Sequence, residues 1–297
     1  MDRVLEYEIP SEYDGANITT VLKQHFKIST NLIKDLKKYK EGIQVNGEHK
    51  RVVDLAAKGD ILKITIRDTA SENIVPTDIP LDIVYEDEDV LVINKPSNMP
   101  THLSMGNYEN SLANGVMYYY KSKGEERVFR AVNRLDKDTS GLMAVAKNSY
   151  IHARLGEEIQ KKELKRKYMC IVCGDVERDG TVDAPIRRAD GSVINRIVAP
   201  DGQRAVTHYR VVKRYGEYTL LEMELETGRT HQIRVHMAYI GHPLVGDWLY
   251  ETEDHNIAKR QMLHSCYLCF THPITGQIME FKDEMAEDMR AFIEKLS

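Results

Sequence analysis

The chain has 297 residues but only one tryptophan and five phenylalanines, set against sixteen tyrosines. Its aromatic content is therefore carried by a ring with a polar tip. Such a ring suits half-wet surfaces and stacking on bases, although most of the sixteen are expected to be structural. Cysteine is scarce as well. Four cysteines cannot staple a domain of this size, and they suit a reducing compartment. No basic start is followed by an apolar N-terminal segment, and no apolar run approaches membrane-spanning length. A soluble, cytoplasmic protein without membrane contact is the expectation. The chain also lacks a glycine-rich phosphate loop, internal repeats and low-complexity tracts, which sets aside nucleotide-driven chemistry and repeat architectures.

The four cysteines fall in two CxxC pairs, Cys170/Cys173 and Cys266/Cys269, a spacing that can mark a zinc ribbon. Both pairs sit in β-rich runs, where residues three apart point to opposite faces. Neither pair contains the Gly or Pro that a metal knuckle favours, so strand cysteines are expected and no metal. Histidines 231, 236, 242 and 264 offer a rival ligand set. On the expected helix, His231 and His236 are about 140° apart and make a poor chelating pair.

What the chain does have is charge in blocks. The net charge of −5 argues against indiscriminate binding of nucleic acid. Yet residues 16–65 hold ten Lys/Arg against five Asp/Glu, and residues 120–170 thirteen against seven. Residues 67–94 hold one against eight. Basic surfaces separated by an acidic stretch can steer a polyanion locally.

With 42% hydrophobic residues, a chain of this length suits one large domain and one small one. Residues 1–13 read as a lead-in strand. Ile18, Val21, Leu22 and Phe26 share helical spacing, and Ser29 is placed to cap a second helix carrying Leu32, Ile33 and Leu36. A strand and tight turn follow at Ile43 to Gly47, then a strand from Gly59 to Ile64. Residues 69–82, with Pro76 and Pro80, read as a linker between a module at 1–68 and a domain at 83–297. In that domain, strands are expected at 81–85, 90–94, 165–172, 206–215 and 218–226. Helices are expected at 111–123, 150–164, about 230–240 and 283–296. Strands dominate without regular βαβ alternation, so the expected class is α+β around a mainly antiparallel sheet.

The stretch with the most chemistry is Asn133-Arg134-Leu135-Asp136-Lys137-Asp138-Thr139-Ser140-Gly141. It sets a carboxylate among cations in a turn-rich loop ahead of the apolar run Leu142 to Ala146. A carboxylate held this way can stay ionised and attack an electrophile. Alone, such a pair is more often a surface ion pair.

This stretch closely resembles the catalytic-loop motif of the RluA class of pseudouridine synthases. Four further segments resemble that class in order: Val92-Ile93-Asn94-Lys95-Pro96, Gly228 to His236, Gly241 to Asp247, and Leu263-His264-Ser265 with Phe270 to Pro273. The one departure is Asn133, where the class often has histidine, a change that bears on how the loop is braced. The resemblance implies an isomerase that breaks the base–ribose bond of uridine, turns the base and rejoins it through carbon. That reaction needs no redox partner, no hydrolytic water and no cofactor. By resemblance Asp136 is the nucleophile and Arg234 its paired cation. Burial disfavours a carboxylate, so a cation must oppose that effect. Arg134 would fill the gap left by a flipped base, a place its planar charged group suits. Tyr168 would lie against the target base and help take the carbon-five proton, and Ile233 would wall the pocket. Arg229, five residues from Arg234 on a different face, suits a phosphate.

The N-terminal module resembles the RNA-binding domain shared with the fourth protein of the small ribosomal subunit. Its helix around Lys34, Lys37, Lys38 and Lys40 is the implied phosphate contact. The expected partner is structured RNA, with large-subunit ribosomal RNA ahead of transfer RNA, and the expected state is a monomer. Two other readings compete: an idle RNA-binding protein of ribosome assembly, and a metal-dependent hydrolase acting on RNA.

Overall fold

Asn17 and Ser29 each end an extended stretch and turn the chain into a helix. The Asn17 carboxamide accepts the Thr20 amide at 2.9 Å and the Ser29 hydroxyl accepts that of Leu32 at 3.2 Å, so each cap satisfies a free helix donor. The computed structural model describes residues 2–67, 74–103, 108–250 and 257–296. Strand β1 (Arg3–Glu8) leads into helices α1 (Ile18–Gln24) and α2 (Thr30–Leu36). Strands β2 (Ile43–Val45), β3 (Glu48–His49) and β4 (Ile61–Ile66) follow, and the sheet order is β1-β4-β2-β3. Asn46 and Gly47 both take positive φ, 51° and 82°, the geometry that a two-residue hairpin demands. Part of the expected linker, residues 69–73, and the last residue of the expected module lie outside the described residues.

The larger sheet begins with β5 (Asp82–Glu86) and β6 (Val90–Lys95). After α3 (Leu112–Ser122) come β7 (Ser140–Ala146), α4 (Ser149–Lys161), β8 (Lys165–Cys173) and β9 (Gly180–Asp183). Strands β10 (Ile186–Arg188) and β11 (Arg196–Val198) form a separate hairpin. Then come β12 (Val206–Arg214), β13 (Tyr218–Leu225), α5 (Gln232–Tyr239), β14 (Leu263–Thr271), β15 (Ile278–Lys282) and α6 (Glu287–Glu294). Nine strands run in the order β5-β6-β7-β14-β8-β13-β12-β9, with β15 on β14. Among these pairings only β7 with β14 is parallel, so the α+β class and the mainly antiparallel sheet hold.

Period-two alternation assigns the two faces. Val90, Val92, Leu142 and Ala144 bury one side beneath Ile151 and Leu155 of α4. Leu91, Ile93, Met143 and Val145 bury the other with Leu112 and Val116 of α3. The first of these clusters is continuous with the core of the N-terminal module through Ile18, Leu22 and Phe26. Tyr150 Oη donates to the Phe26 carbonyl at 2.9 Å, and Arg3 grips Asp89 with two nitrogens at 2.9 and 2.8 Å. The small module is thus bonded onto the large sheet.

Two helices start later than their sequence pattern suggests. Helix α5 begins at Gln232 because His231 takes φ 57°, outside the helical region. Helix α6 begins at Glu287 because Ala286 before it takes ψ 145°, outside the helical region, while the Asp283 amide still donates to the Cys266 carbonyl of β14 at 2.9 Å. The two CxxC runs lie in β8 and β14, as expected. Among the described residues no helix is long and apolar enough to cross a membrane.

At the edge of the large sheet, Glu86 accepts from Lys147 at 2.7 Å, Tyr119 at 2.6 Å and Lys123 at 3.0 Å. Burial alone would raise this carboxyl, but the three donors outweigh it and hold it at about 2. A folded-state value below the unfolded 4.5 means the contribution is complete above that pH and fades as pH falls toward 2. Glu86→Gln is therefore expected to lose about 2–3 kcal/mol at pH 7 and almost nothing near pH 2. Urea unfolding at both pH values reads the difference.

Candidate active site

The loop that carries Asp136 is tied down at four successive carbonyls. Thr101 Oγ1 donates to Leu135 O at 2.7 Å, and the Thr139 amide to Asp136 O at 3.1 Å. Lys137 O accepts the Met99 amide at 3.0 Å and Lys95 Nζ at 3.1 Å. Asp138 O accepts Arg260 Nη1 at 3.0 Å. Lys95 is fully buried and also donates to Pro96 O at 2.7 Å and Met99 O at 2.8 Å. Burial pulls its ammonium down to about 7, while Asp138 and Asp136 push it up. Three carbonyl acceptors match the three protons of the charged form. Asn133 Oδ1 accepts the Ala144 amide at 3.0 Å, so the residue that departs from the class motif still braces the loop against β7. Gly141, at φ 110°, closes the loop. A Cβ there would sit 2.3 Å from Ser265 O, so only glycine lets β7 start this close to β14.

The facing cation comes from α5. Arg234 is 4% exposed, and its Nη1 reaches Asp136 Oδ2 at 3.2 Å. The rest of its fork is used on fully buried Asp247, with Nε at 2.7 Å and Nη2 at 2.8 Å. Burial works against this guanidinium, but bonds and charge from Asp247 and then Asp136 overcome it and raise it above its ordinary value. Gly246 supplies the turn into Asp247 at φ 73°, where a Cβ would meet Arg260 O at 2.2 Å. Gln232 fixes the start of the helix: its Nε2 donates to Val206 O at 2.9 Å and its Oε1 accepts the Arg229 amide at 3.0 Å.

Asp136 keeps 24% of its side chain exposed, while the wall beside it is dry. Leu135, Tyr168 and Ile233 belong to one buried cluster with Met237. Burial raises the Tyr168 phenol, Arg166 opposes the rise and Asp136 adds to it, so the ring is neutral at neutral pH. Arg134 is exposed, with Nη2 3.5 Å from Thr230 Oγ1. It bridges the Asp136 loop and the segment before α5. The structure thus gathers Asp136, Arg234, Arg134, Tyr168 and Ile233. Arg229 is engaged elsewhere, on the exposed surface, with Nε donating to Arg204 O at 3.0 Å. Lys34, Lys37 and Lys38 are exposed on and just after α2, and Lys38 pairs with Asp35 at 2.6 Å.

The sequence pattern of the family described as RNA pseudouridylate synthase matches residues 89–239. A Bacillus subtilis relative called uncharacterized RNA pseudouridine synthase YjbO is 43% identical over 268 residues, spanning 90% of this chain and 94% of its own. The chain belongs to the RluA family of RNA pseudouridine synthases. It is an isomerase acting on RNA. Ribosomal large subunit pseudouridine synthase D of Escherichia coli K12 is 44% identical to this synthase over 232 residues, 74% of this chain and 71% of the relative. The fold is shared with human RNA pseudouridylate synthase domain containing 4. That structure aligns at TM-score 0.59 and 22% identity over 72% of this synthase and 92% of the human chain.

Sequence reasoning does not single out Asp247, although that residue ends the Gly241 to Asp247 segment. For His231 it offers only a place in the Gly228 to His236 segment and a rival metal-ligand role. In the synthase the four histidines serve four different partners. His231 meets Tyr250, His236 meets Thr207, His242 meets the Cys173 carbonyl and His264 meets Ser140.

Proposed function

We propose that this synthase isomerises particular uridines of structured RNA, with large-subunit ribosomal RNA as the substrate class and Asp136 as the nucleophile. The observation that carries the reading is the 3.2 Å contact between Arg234 Nη1 and Asp136 Oδ2, which sets a buried cation against a partly exposed carboxylate beside a dry wall. The name of the Escherichia coli relative supports the choice of RNA class.

A uridine inside folded RNA has to leave its stack to reach Asp136, at a cost of a few kcal/mol. Arg134, exposed at the mouth, takes the vacated place. Tyr168 and Ile233 hold the extruded base between them, with Tyr168 as a neutral phenol. The bond from N1 to the ribose breaks, the uracil turns, and the bond from carbon five to the ribose forms. The proton displaced from carbon five leaves to water and the freed N1 takes one up, so substrate and product have the same composition. Mapping pseudouridine in total RNA from cells with and without the protein tests this. Loss at discrete large-subunit positions is expected. Loss confined to transfer RNA would replace the substrate class, and no loss anywhere would end the proposal.

The division into a module at 1–68, a linker at 69–82 and a catalytic domain at 83–297 belongs to the same proposal, with the module as an RNA-binding unit. Exposed Lys34 and Lys37 support it, whereas Lys38 shares its charge with Asp35. The joint variant Lys34→Ala/Lys37→Ala is expected to lower the slope of log affinity against log salt by about two. An unchanged slope in a salt titration would remove the module from RNA binding. Arg229 is assigned to phosphate on the same basis.

A further inference from the structure

Tyr250 ties three parts of the molecule together at one oxygen. Its Oη accepts the Arg196 amide at 2.9 Å and lies 2.9 Å from His231 Nδ1. Arg196 opens β11. His231 stands directly before α5 in a left-handed conformation, φ 57°, which is uncommon for a residue with a side chain. That conformation turns the imidazole into the site, with Nε2 3.9 Å from Asp136 Oδ2.

Two arrangements of the imidazole proton compete. With the proton on Nδ1, the imidazole would donate to Tyr250, the phenol proton would need another acceptor, and the Nε2 lone pair would face a carboxylate. With the proton on Nε2, the phenol donates to Nδ1, the Arg196 amide donates to the phenol oxygen, and an N–H faces the carboxylate. Every group is then satisfied, and the sign of the last contact is attractive. The ring is neutral near pH 7. Burial holds its pKa below the ordinary value; Asp136 and Asp247 oppose this, and Arg234 and Arg196 assist it.

We propose that His231 is a positioning residue for Asp136, its proton held on Nε2 by Tyr250, so that His231 and Arg234 together brace Oδ2 and leave Oδ1 as the attacking oxygen. The inference rests on Asp136 being the nucleophile. Both contacts fall on Oδ2, at 3.2 and 3.9 Å, and among the described residues no donor engages Oδ1. At 3.9 Å the imidazole contact is electrostatic rather than a formed hydrogen bond, and such contacts tighten in the reacting complex. Tyr250 also sits under the Arg234 guanidinium, 5.1 Å from ring centre to carbon, so one residue steadies both groups that hold the nucleophile.

The test uses the full-length protein and compares His231→Ala, His231→Gln and Tyr250→Phe. His231→Ala is expected to lower kcat about 10- to 100-fold with KM for RNA within about twofold of wild type. His231→Gln offers an amide N–H toward Oδ2 and recovers most of that loss. Tyr250→Phe keeps the ring under Arg234 but frees the tautomer, and kcat falls about 5- to 10-fold at unchanged KM. A merely structural histidine would lower thermal stability in both the Ala and Gln forms and give no selective rescue of kcat. The proposal is overturned if His231→Ala keeps wild-type kcat, if Gln is as impaired as Ala, or if the loss lies in KM. Should His231→Ala fail to fold, Tyr250→Phe, which removes a single oxygen, decides alone. Asp136→Asn measured in parallel separates the two layers. If that variant turns over, the nucleophile is misassigned; if it is dead while His231→Ala turns over normally, only the positioning role falls.

Discussion

Arg234→Met is expected to lose about 3–5 kcal/mol of folding stability and to lower kcat about 100- to 1,000-fold in the molecules that remain folded. The two losses have different origins. Asp247 is fully buried and receives two of the three side-chain bonds of Arg234, so methionine leaves a buried carboxylate whose remaining donor among the described residues is the Leu249 amide at 3.2 Å. An uncompensated buried charge accounts for the stability loss. The loss in kcat comes from the third bond, to Asp136. The double variant Arg234→Met/Asp247→Leu separates them, because it removes the orphaned charge and fills the space with apolar atoms. Urea midpoints should recover in the double variant while turnover does not. A single variant as stable as wild type would show that Asp247 is satisfied by other means.

Asp136→Asn is expected to lose about 10⁴-fold or more in turnover while RNA affinity stays within about twofold of wild type. The substitution keeps shape and keeps an oxygen to accept from Arg234 Nη1. It removes the charge on which the proposed nucleophile depends. Affinity should persist because the groups proposed to hold RNA, Arg134, Arg229 and the lysines of the N-terminal module, do not depend on Asp136 for their placement. Arg134 leans on Thr230, and Arg229 on the Arg204 carbonyl. Filter binding and nucleoside analysis of the product RNA read the two quantities separately. A variant that fails to bind RNA would mean that Asp136 organises the surface rather than the reaction.

Much of this site can be read from the chain because its parts are local. The carboxylate, its neighbouring arginine and the apolar strand that follows lie within a few consecutive residues. Ser29 announces its helix through a cap, and Asn46-Gly47 announces its hairpin through backbone conformation. What escaped depends on distance along the chain. Asp247 meets Arg234 only because Gly246 folds the segment under Arg260. His231 reads as helical by position, and only its left-handed backbone turns it toward Asp136. Tyr250 is joined to Arg196 across 54 residues, through a hairpin that no periodicity marked. The two-module division also looked simpler in sequence, because the shared core of Phe26, Tyr150 and Leu155 joins residues far apart in order.

The central proposal is that one carboxylate oxygen at position 136 carries the chemistry, and tritium release from carbon-five-labelled uridine RNA under single-turnover conditions tests it most directly. With RNA bound by excess enzyme, the wild type should release label while Asp136→Asn releases none above background. Release by the variant at the wild-type rate would contradict the account, because the carbon-five proton would then be lost without that carboxylate.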